Sequence, residues 1–211
     1  ALPKVTLLFS TVDTFIAPIT IAAGLANPDP GTTLWATVPD QVSTTAKIRV
    51  QDSRYGSVYR DSAAFTVKGG LALQPPSPGL TANEVKIVGA TQLISWTTTG
   101  SVGLVSVQVS TDNGVTFTDI PTPNGSNFSN VGLWSSFSWT PLPDLASTLY
   151  KVRVIDTRVG QGATQDTSAN PFTIRGGLSF AGSNQPQANV QWAVGTTQLI
   201  SWTHTGTGAI A

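Results

Sequence analysis

The sequence predicts an all-β fold arranged as a tandem series of antiparallel β-sandwiches. Short stretches of alternating apolar and polar residues recur every 10 to 15 residues with turn residues between them, and no stretch has a useful helical period. Three segments also recur in the same order after slightly more than 100 residues. Short strands without helices typically pack as two facing sheets.

Internal repeats set the boundaries of the predicted units. The recurring segments are TQLISWTTTG at 91–100 and TQLISWTHTG at 197–206, KIRVQDSR at 47–54 and KVRVIDTR at 151–158, and FTVKGGL at 65–71 and FTIRGGL at 172–178. We therefore expect residues 1–68 to be the later part of a first repeat and residues 69–175 to be a complete repeat. Residues 176–211 are expected to be the opening part of a third repeat.

The complete repeat is predicted to contain seven or so strands. Ile94 and Trp96 fall on one face of an alternating strand, and Val105 begins a second strand in which every other residue is apolar. A tight turn at 112–114 precedes the next strand. The predicted strands cover residues 70–73, 85–88, 92–97, 105–110, 115–120, 134–140, 150–155 and 172–174.

Tryptophans at equivalent positions are predicted to fill the space between the sheets. Trp96 is equivalent to Trp202, and Trp35 is equivalent to Trp139. Each lies on the apolar side of its predicted strand, which favours core packing over the alternative, sugar binding by exposed aromatic rings.

Composition excludes several classes of protein. Lysine plus arginine and aspartate plus glutamate number 11 each, so no basic surface is available for nucleic acid. Only 10% of residues are charged, while threonine (30) and serine (20) supply the polar surface. Cysteine is absent, so neither a disulfide nor a thiolate site can form. No apolar run reaches the length of a membrane-spanning helix.

The order of motifs in one repeat resembles a known pattern. Ile-Ser-Trp at 94–96 is followed by Val-x-Val at 105–107, Phe-Ser-Trp-Thr at 137–140, Lys-x-Arg-Val at 151–154 and Phe-Thr-Ile at 172–174. This order resembles the immunoglobulin-like repeats of large bacterial surface and secreted proteins, and it is similar to the serine/threonine-rich domain of fungal cell-wall-synthesis proteins. The resemblance implies immunoglobulin-like or fibronectin-III-like antiparallel β-sandwiches that serve as an extracellular spacer, stalk, layer or fibre unit. Fold alone assigns no activity.

One hairpin of the complete repeat resembles the aspartate-box hairpin of sialidases and many secreted β proteins, which has the pattern S-x-D-x-G-x-T-W. Here the segment reads STDNGVTF at 110–117, whereas the first repeat has only STVDTF at 10–15. In those families the aspartate caps backbone amides in the turn. Its loss from one copy indicates a turn device rather than a catalytic element.

No set of residues points to catalysis or to a bound cofactor or metal. His204 is the single histidine, its equivalent is Thr98, and we expect it on the surface. Acids that return in each repeat are predicted to be structural; the pairs are Asp40 with Asp144, Asp52 with Asp156, and Asp61 with Asp166. A calcium site using Asp156 and Asp166 is the alternative, although no DxDxDG-type loop is present.

The sequence therefore favours a non-enzymatic, structural protein of the cell surface or extracellular space. The alternative is a carbohydrate-binding or adhesive module of a larger secreted protein, with cell-surface glycans as partners, supported by Trp134 and Trp192 beside predicted turns. The sequons at 124–126 and 127–129 indicate a surface loop.

The two incomplete segments are complementary. Residues 176–211 hold the opening strands that residues 1–68 lack, so we expect residues 176–211 of one copy to pair with residues 1–68 of another. Head-to-tail pairing of this kind does not close and would build a filament. Equally, the covalent neighbour in a longer repeat chain could supply the missing strands.

Overall fold

The computed structural model describes residues 4–28, 30–121, 128–130, 133–158, 160, 164–182 and 188–206. The chain is all-β, with 48% of the described residues in strands. Among the described residues there is no α-helix, and so none long and apolar enough to cross a membrane. The strands are β1 (Lys4–Ser10), β2 (Ile19–Ala26), β3 (Ser43–Asp52), β4 (Tyr59–Asp61), β5 (Phe65–Val67), β6 (Gly70–Gln74), β7 (Val85–Ile87), β8 (Gln92–Thr99), β9 (Leu104–Ser110), β10 (Thr118–Asp119), β11 (Phe128–Ser129), β12 (Trp134–Trp139), β13 (Ser147–Asp156), β14 (Gln165–Thr167), β15 (Phe172–Arg175), β16 (Gly177–Phe180) and β17 (Trp202–Thr205).

Two sheets in the complete repeat share one hydrophobic core. The three-stranded sheet has the order β12-β8-β6, and the seven-stranded sheet has the order β10-β9-β13-β15-β7, with β11 on β9 and β14 on β13. All pairings are antiparallel except that of β15 with β7. The predicted burial of Trp96 and Trp139 in this core is confirmed, and Val107 and Val152 are buried in the same core.

The first repeat forms a separate five-stranded sheet in the order β2-β1-β3-β4, with β5 on β3. Its ladder between β1 and β3 has the same register as the ladder between β9 and β13 in the complete repeat. The equivalent pairs are Val5–Asp52 and Val105–Asp156 at one end, and Ser10–Lys47 and Ser110–Lys151 at the other.

The third repeat contributes a two-stranded sheet of β16 and β17. Phe180 lies opposite Trp202, as Leu73 lies opposite Trp96 in the pairing of β6 with β8. The sequence equivalence therefore holds at the level of strand register for these strands as well.

The predicted strand at 115–120 is mostly wrong, because only β10 (Thr118–Asp119) forms there. The Asp112 carboxylate accepts hydrogen bonds from the amides of Val115 and Thr116, at 3.0 and 2.9 Å, and holds them in the turn. Two short strands of the complete repeat, β11 and β14, were not predicted.

The proposed equivalence of Asp61 with Asp166 is wrong by one position. Asp61 lies opposite Arg49, whereas Thr167 occupies the matching place opposite Arg153. Arg49 forms an ion pair with Asp61, while Arg153 is hydrogen-bonded to Gln108. Both arginines stack on aromatic rings at equivalent places, Arg49 over Phe15 at 4.1 Å and Arg153 over Phe117 at 3.9 Å.

Candidate association surfaces

The complete repeat shows what the Ile-Ser-Trp strand does when it is covered. The Trp96 side chain has 0% exposure in the core between the two sheets. Its indole Nε1 donates a hydrogen bond to Asn130 Oδ1 at 2.9 Å. The Asn130 amide in turn donates to the Thr98 hydroxyl at 2.9 Å and to the Val102 carbonyl at 3.0 Å. The buried indole is therefore held by packing and by a satisfied polar partner.

The same strand in the third repeat leaves its core residues in solvent. Trp202 exposes 65% of its surface, so the expectation that it packs in a core is wrong for this chain. Among the described residues, the third repeat has no counterpart of the seven-stranded sheet that covers Trp96. We call the exposed set the C-terminal apolar face; its members are Leu178, Phe180, Val194, Ile200 and Trp202. The equivalents of the last four, which are Leu73, Val88, Ile94 and Trp96, are buried, and Leu71, the equivalent of Leu178, is partly buried against the same core.

Part of this face forms an open apolar cleft lined by Leu178, Phe180 and Trp202. The strand beneath it is only half formed: β17 has four residues, whereas its equivalent β8 has eight. In the complete repeat β8 is paired on both sides, with β6 and with β12. In the third repeat β17 pairs only with β16, so its other edge is unpaired in the described chain.

The first repeat has the opposite deficiency. Its small core is built on Phe9, Ala46 and Val67, with Ile21, Trp35 and Phe65 packed partly against it. We call the remaining surface the N-terminal open core; it consists of side chains that are half-buried or exposed although their equivalents in the complete repeat are buried, namely Val5, Leu7, Val38, Ile48 and Val50. The C-terminal apolar face thus lacks a covering sheet of the kind found in the first repeat. The N-terminal open core lacks strands of the kind found in the third repeat.

Residues 31–39 form no strand, which corrects the prediction that Trp35 lies in one. The equivalent segment is β12, whose single partner strand is β8. In the described part of the first repeat no strand corresponds to β8, so the hydrogen-bonding groups of residues 30–35 have no ladder to join. Trp35 nevertheless packs on Phe9, with ring centroids 5.2 Å apart.

A polar clamp joins the first repeat to the complete one, and sequence reasoning missed it. The Asp40 carboxylate accepts two hydrogen bonds from Ser101, one from the amide and one from the hydroxyl, each 2.8 Å long. These bonds hold the pKa of Asp40 below its ordinary value. Arg158 donates to the Ser101 carbonyl at 2.7 Å, so Ser101 is held from both repeats. The one feature of the sequence that could have indicated this clamp is the recurrence of aspartate at the equivalent position, Asp144.

The next joint repeats this geometry. Gly100 has φ +71°, and a β-carbon there would lie 3.1 Å from Asp40 Oδ1 and 3.6 Å from the Gly69 α-carbon. Gly206 has φ +86°, and a β-carbon there would lie 3.0 Å from Asp144 Oδ1. Glycine is needed at both places, because the backbone is left-handed and the aspartate approaches closely.

The aspartate-box turn has the geometry that the resemblance implied. Asp112 accepts hydrogen bonds from the Ser110 hydroxyl at 2.7 Å and the Thr116 hydroxyl at 2.5 Å, besides the two backbone amides. These donors lower the pKa of Asp112 to about 2. In the first repeat Ser10 bonds to Val12 instead, and Asp13 forms an exposed ion pair with Lys47.

The carboxylates considered for calcium are engaged by protein donors. Asp156 is fully buried against the Arg158 guanidinium at 2.5 Å. Asp166 accepts hydrogen bonds from the amides of Leu73 and Thr167, at 2.7 and 2.9 Å. Within the described ranges no cluster of three or more histidine, aspartate or glutamate side chains could hold a metal ion.

Both tryptophans considered for sugar binding are exposed. Trp134, on edge strand β12, is 64% exposed, and Trp192 is exposed outside any strand. His204 is exposed on β17, as expected. The sequon at 124–126 and Asn127 of that at 127–129 lie outside the described residues.

No protein-family model matches the chain, and no curated protein is significantly similar to it.

Proposed function

We propose that the chain is a structural extracellular or cell-surface protein. In this proposal, tandem immunoglobulin-like or fibronectin-III-like β-sandwiches build a fibre, sheath, surface layer or stalk. The repeats carry no enzymatic site and need no cofactor. Neighbouring copies complete each other's split sandwiches head to tail, with residues 176–211 of one copy on residues 1–68 of the next.

One observation carries the proposal: the same strand buries Trp96 in the complete repeat and exposes Trp202 in the third repeat. Burying a large apolar side chain stabilises by about 1.5–3 kcal/mol. Association costs about 4–15 kcal/mol in lost freedom. Five side chains on the C-terminal apolar face, together with the N-terminal open core, are enough to offset a cost of that size.

The joints support the same role. The clamp of Asp40 on Ser101 and the close approach of Asp144 to Gly206 favour units that transmit force without free bending. Heterologous contacts between such units do not close on themselves and therefore extend into a filament.

Electron microscopy of the native material tests this proposal. We expect regular fibres or layers whose axial repeat equals the length of two sandwiches. Isolated, compact particles at native concentration would contradict it. The intact mass of the denatured material then separates the two versions, because a species near 22.0 kDa indicates separate subunits and a much larger one indicates a continuous repeat chain.

A carbohydrate-binding or adhesive module is the second candidate, and the 64% exposure of Trp134 is the observation that favours it. An indole in solvent on an edge strand can stack on a sugar ring. Saturable glycan-array binding that is lost in Trp134→Ala and retained in Trp192→Ala would establish this function. Absence of binding in the wild-type chain would exclude the arrayed glycans as its ligands.

A further inference from the structure

We propose that residues 30–35 are a strand donor, which joins residues 198–203 of a second copy as an antiparallel edge strand. The inference rests on the proposed function and specifies the contact that the head-to-tail association would use. In one copy residues 31–35 form no strand, and residues 198–201 also form none. Each stretch is the sequence equivalent of a strand that is paired in the complete repeat.

The pairing of β12 with β8 in the complete repeat gives the register expected between residues 30–35 and residues 198–203. Trp139 lies opposite Gln92, and Ser138 lies opposite Leu93. Trp139-Thr-Pro-Leu-Pro-Asp144 aligns with Trp35-Ala-Thr-Val-Pro-Asp40 without a gap, and TQLISWT aligns at an offset of 106 residues. The transferred register therefore places Trp35 opposite Gln198 and Leu34 opposite Leu199.

The donor segment is already held in place at its C-terminal end. Trp35 packs on Phe9, and Asp40, five residues further on, is bound to Ser101. Preorganisation of this kind lowers the entropy lost when a segment orders on binding. The acceptor is equally prepared, because β17 is aligned by its ladder with β16.

Side-chain chemistry agrees with this register. Leu34 is 87% exposed and Leu199 is 69% exposed in the single chain. In the transferred register the two leucines become a directly opposed cross-strand pair on the outer face, where apolar pairs stabilise a sheet. In the complete repeat the same place holds Ser138 and Leu93, so a leucine opposite a leucine would be particular to the pairing between two copies.

Neither segment carries the charges that usually keep an exposed edge strand from pairing with another chain. Residues 30–39 and 188–206 contain no lysine, arginine, aspartate or glutamate. Pro30 stands at the first position of the donor, where a strand tolerates a proline. The occupant is a second copy, because residues 70–175 fold between the two segments of one chain and joints fix both sides of that unit.

The absence of cysteine makes disulfide trapping a clean test. Directly opposed residues of an antiparallel pair are close enough for a disulfide, whereas residues one position out of register point to opposite faces. The double variant Leu34→Cys/Leu199→Cys of the 211-residue chain is oxidised and run on a non-reducing gel. The matched control is Thr33→Cys/Leu199→Cys, and sedimentation velocity measures the association of both variants after reduction.

We expect a ladder of reducible multimers from the first pair, in about tenfold higher yield than from the control. Equal yields from the two pairs would overturn the register. Association without a ladder would overturn strand addition and leave the proposed function standing. If the reduced variants and the wild-type chain all stay monomeric, both the strand addition and the proposed function are contradicted. Unchanged thermal unfolding of the reduced variants establishes that they fold, since both leucines are exposed.

Discussion

Trp96 and Trp202 occupy the same position of a repeated Ile-Ser-Trp strand, yet Trp96 is completely buried and Trp202 has 65% of its surface exposed. Trp96 is covered by the seven-stranded sheet of its own repeat, whereas β17 has only β16 beside it in the described chain. The difference between the two indoles is therefore a difference in surroundings rather than in local sequence.

The two tryptophans give a matched pair of substitutions. Trp96→Ala is expected to lower the free energy of unfolding by about 3–5 kcal/mol, because it empties a core site, and Trp139→Ala should do the same. Trp202→Ala is expected to change it by less than about 1 kcal/mol in dilute monomer while weakening self-association. Urea unfolding and sedimentation velocity measure the two effects. Equal destabilisation by both substitutions would mean that Trp202 is packed in the monomer.

The clamp between Asp40 and Ser101 is expected to control bending at the first joint. Asp40→Ala removes the acceptor of two hydrogen bonds between repeats, and the two repeats should then tumble more independently. Asp13→Ala is the control, since it removes an ion pair with Lys47 inside one repeat. NMR relaxation of backbone amides in each repeat provides the measurement. Identical tumbling of wild type and Asp40→Ala would show that other contacts hold the joint.

Alanine substitutions at Gly100 and Gly89 distinguish the effect of backbone strain from the effect of crowding at the joint. Both have left-handed φ values, +71° and +77°, so alanine at either place costs about 1–2 kcal/mol. A β-carbon at Gly100 would also meet Asp40, whereas one at Gly89 would meet nothing within 4 Å. We expect both variants to lower the melting temperature but only Gly100→Ala to loosen the joint by NMR relaxation. Loosening by Gly89→Ala would contradict this assignment.

Asp112 predicts a pH dependence of stability. The folded turn lowers its pKa from 3.8 to about 2, so the ionised carboxylate stabilises the fold above about pH 4. That contribution is lost as the pH falls from about 4 toward 2, where the folded form also takes up the proton. The melting temperature of wild type should exceed that of Asp112→Asn at about pH 6, and the difference should vanish near pH 2. A difference that stays constant over this range would argue against the carboxylate as its cause.

Local sequence pattern was sufficient for the central strands of the complete repeat, but not for residues 115–120, where the Asp112 turn replaces most of the expected strand. Alternation along β8 and β9 predicted their strands, and the apolar positions Trp96 and Val107 are in the core as expected. These strands have their partners within the same repeat, so local preference and long-range pairing agree.

The alternating sequence pattern did not predict the structure correctly where a strand depends on a partner that is distant in the sequence. Trp35 lies in a segment with the same pattern as β12, but it is irregular because nothing corresponds to β8 beside it. The bond of Asp40 to Ser101 spans 61 residues and two repeats, and no local periodicity encodes such a contact. The recurrence of aspartate at Asp144 was visible in the sequence, but its role was not.

Sedimentation velocity of the 211-residue chain over a wide concentration range tests the central claim most directly. Complementary end surfaces predict an open-ended series that begins at the 22.0 kDa monomer and grows with concentration, and Trp202→Ala should shift this series to higher concentration. A wild-type chain that remains monomeric at every concentration, or that stops at a closed dimer, would contradict the head-to-tail account.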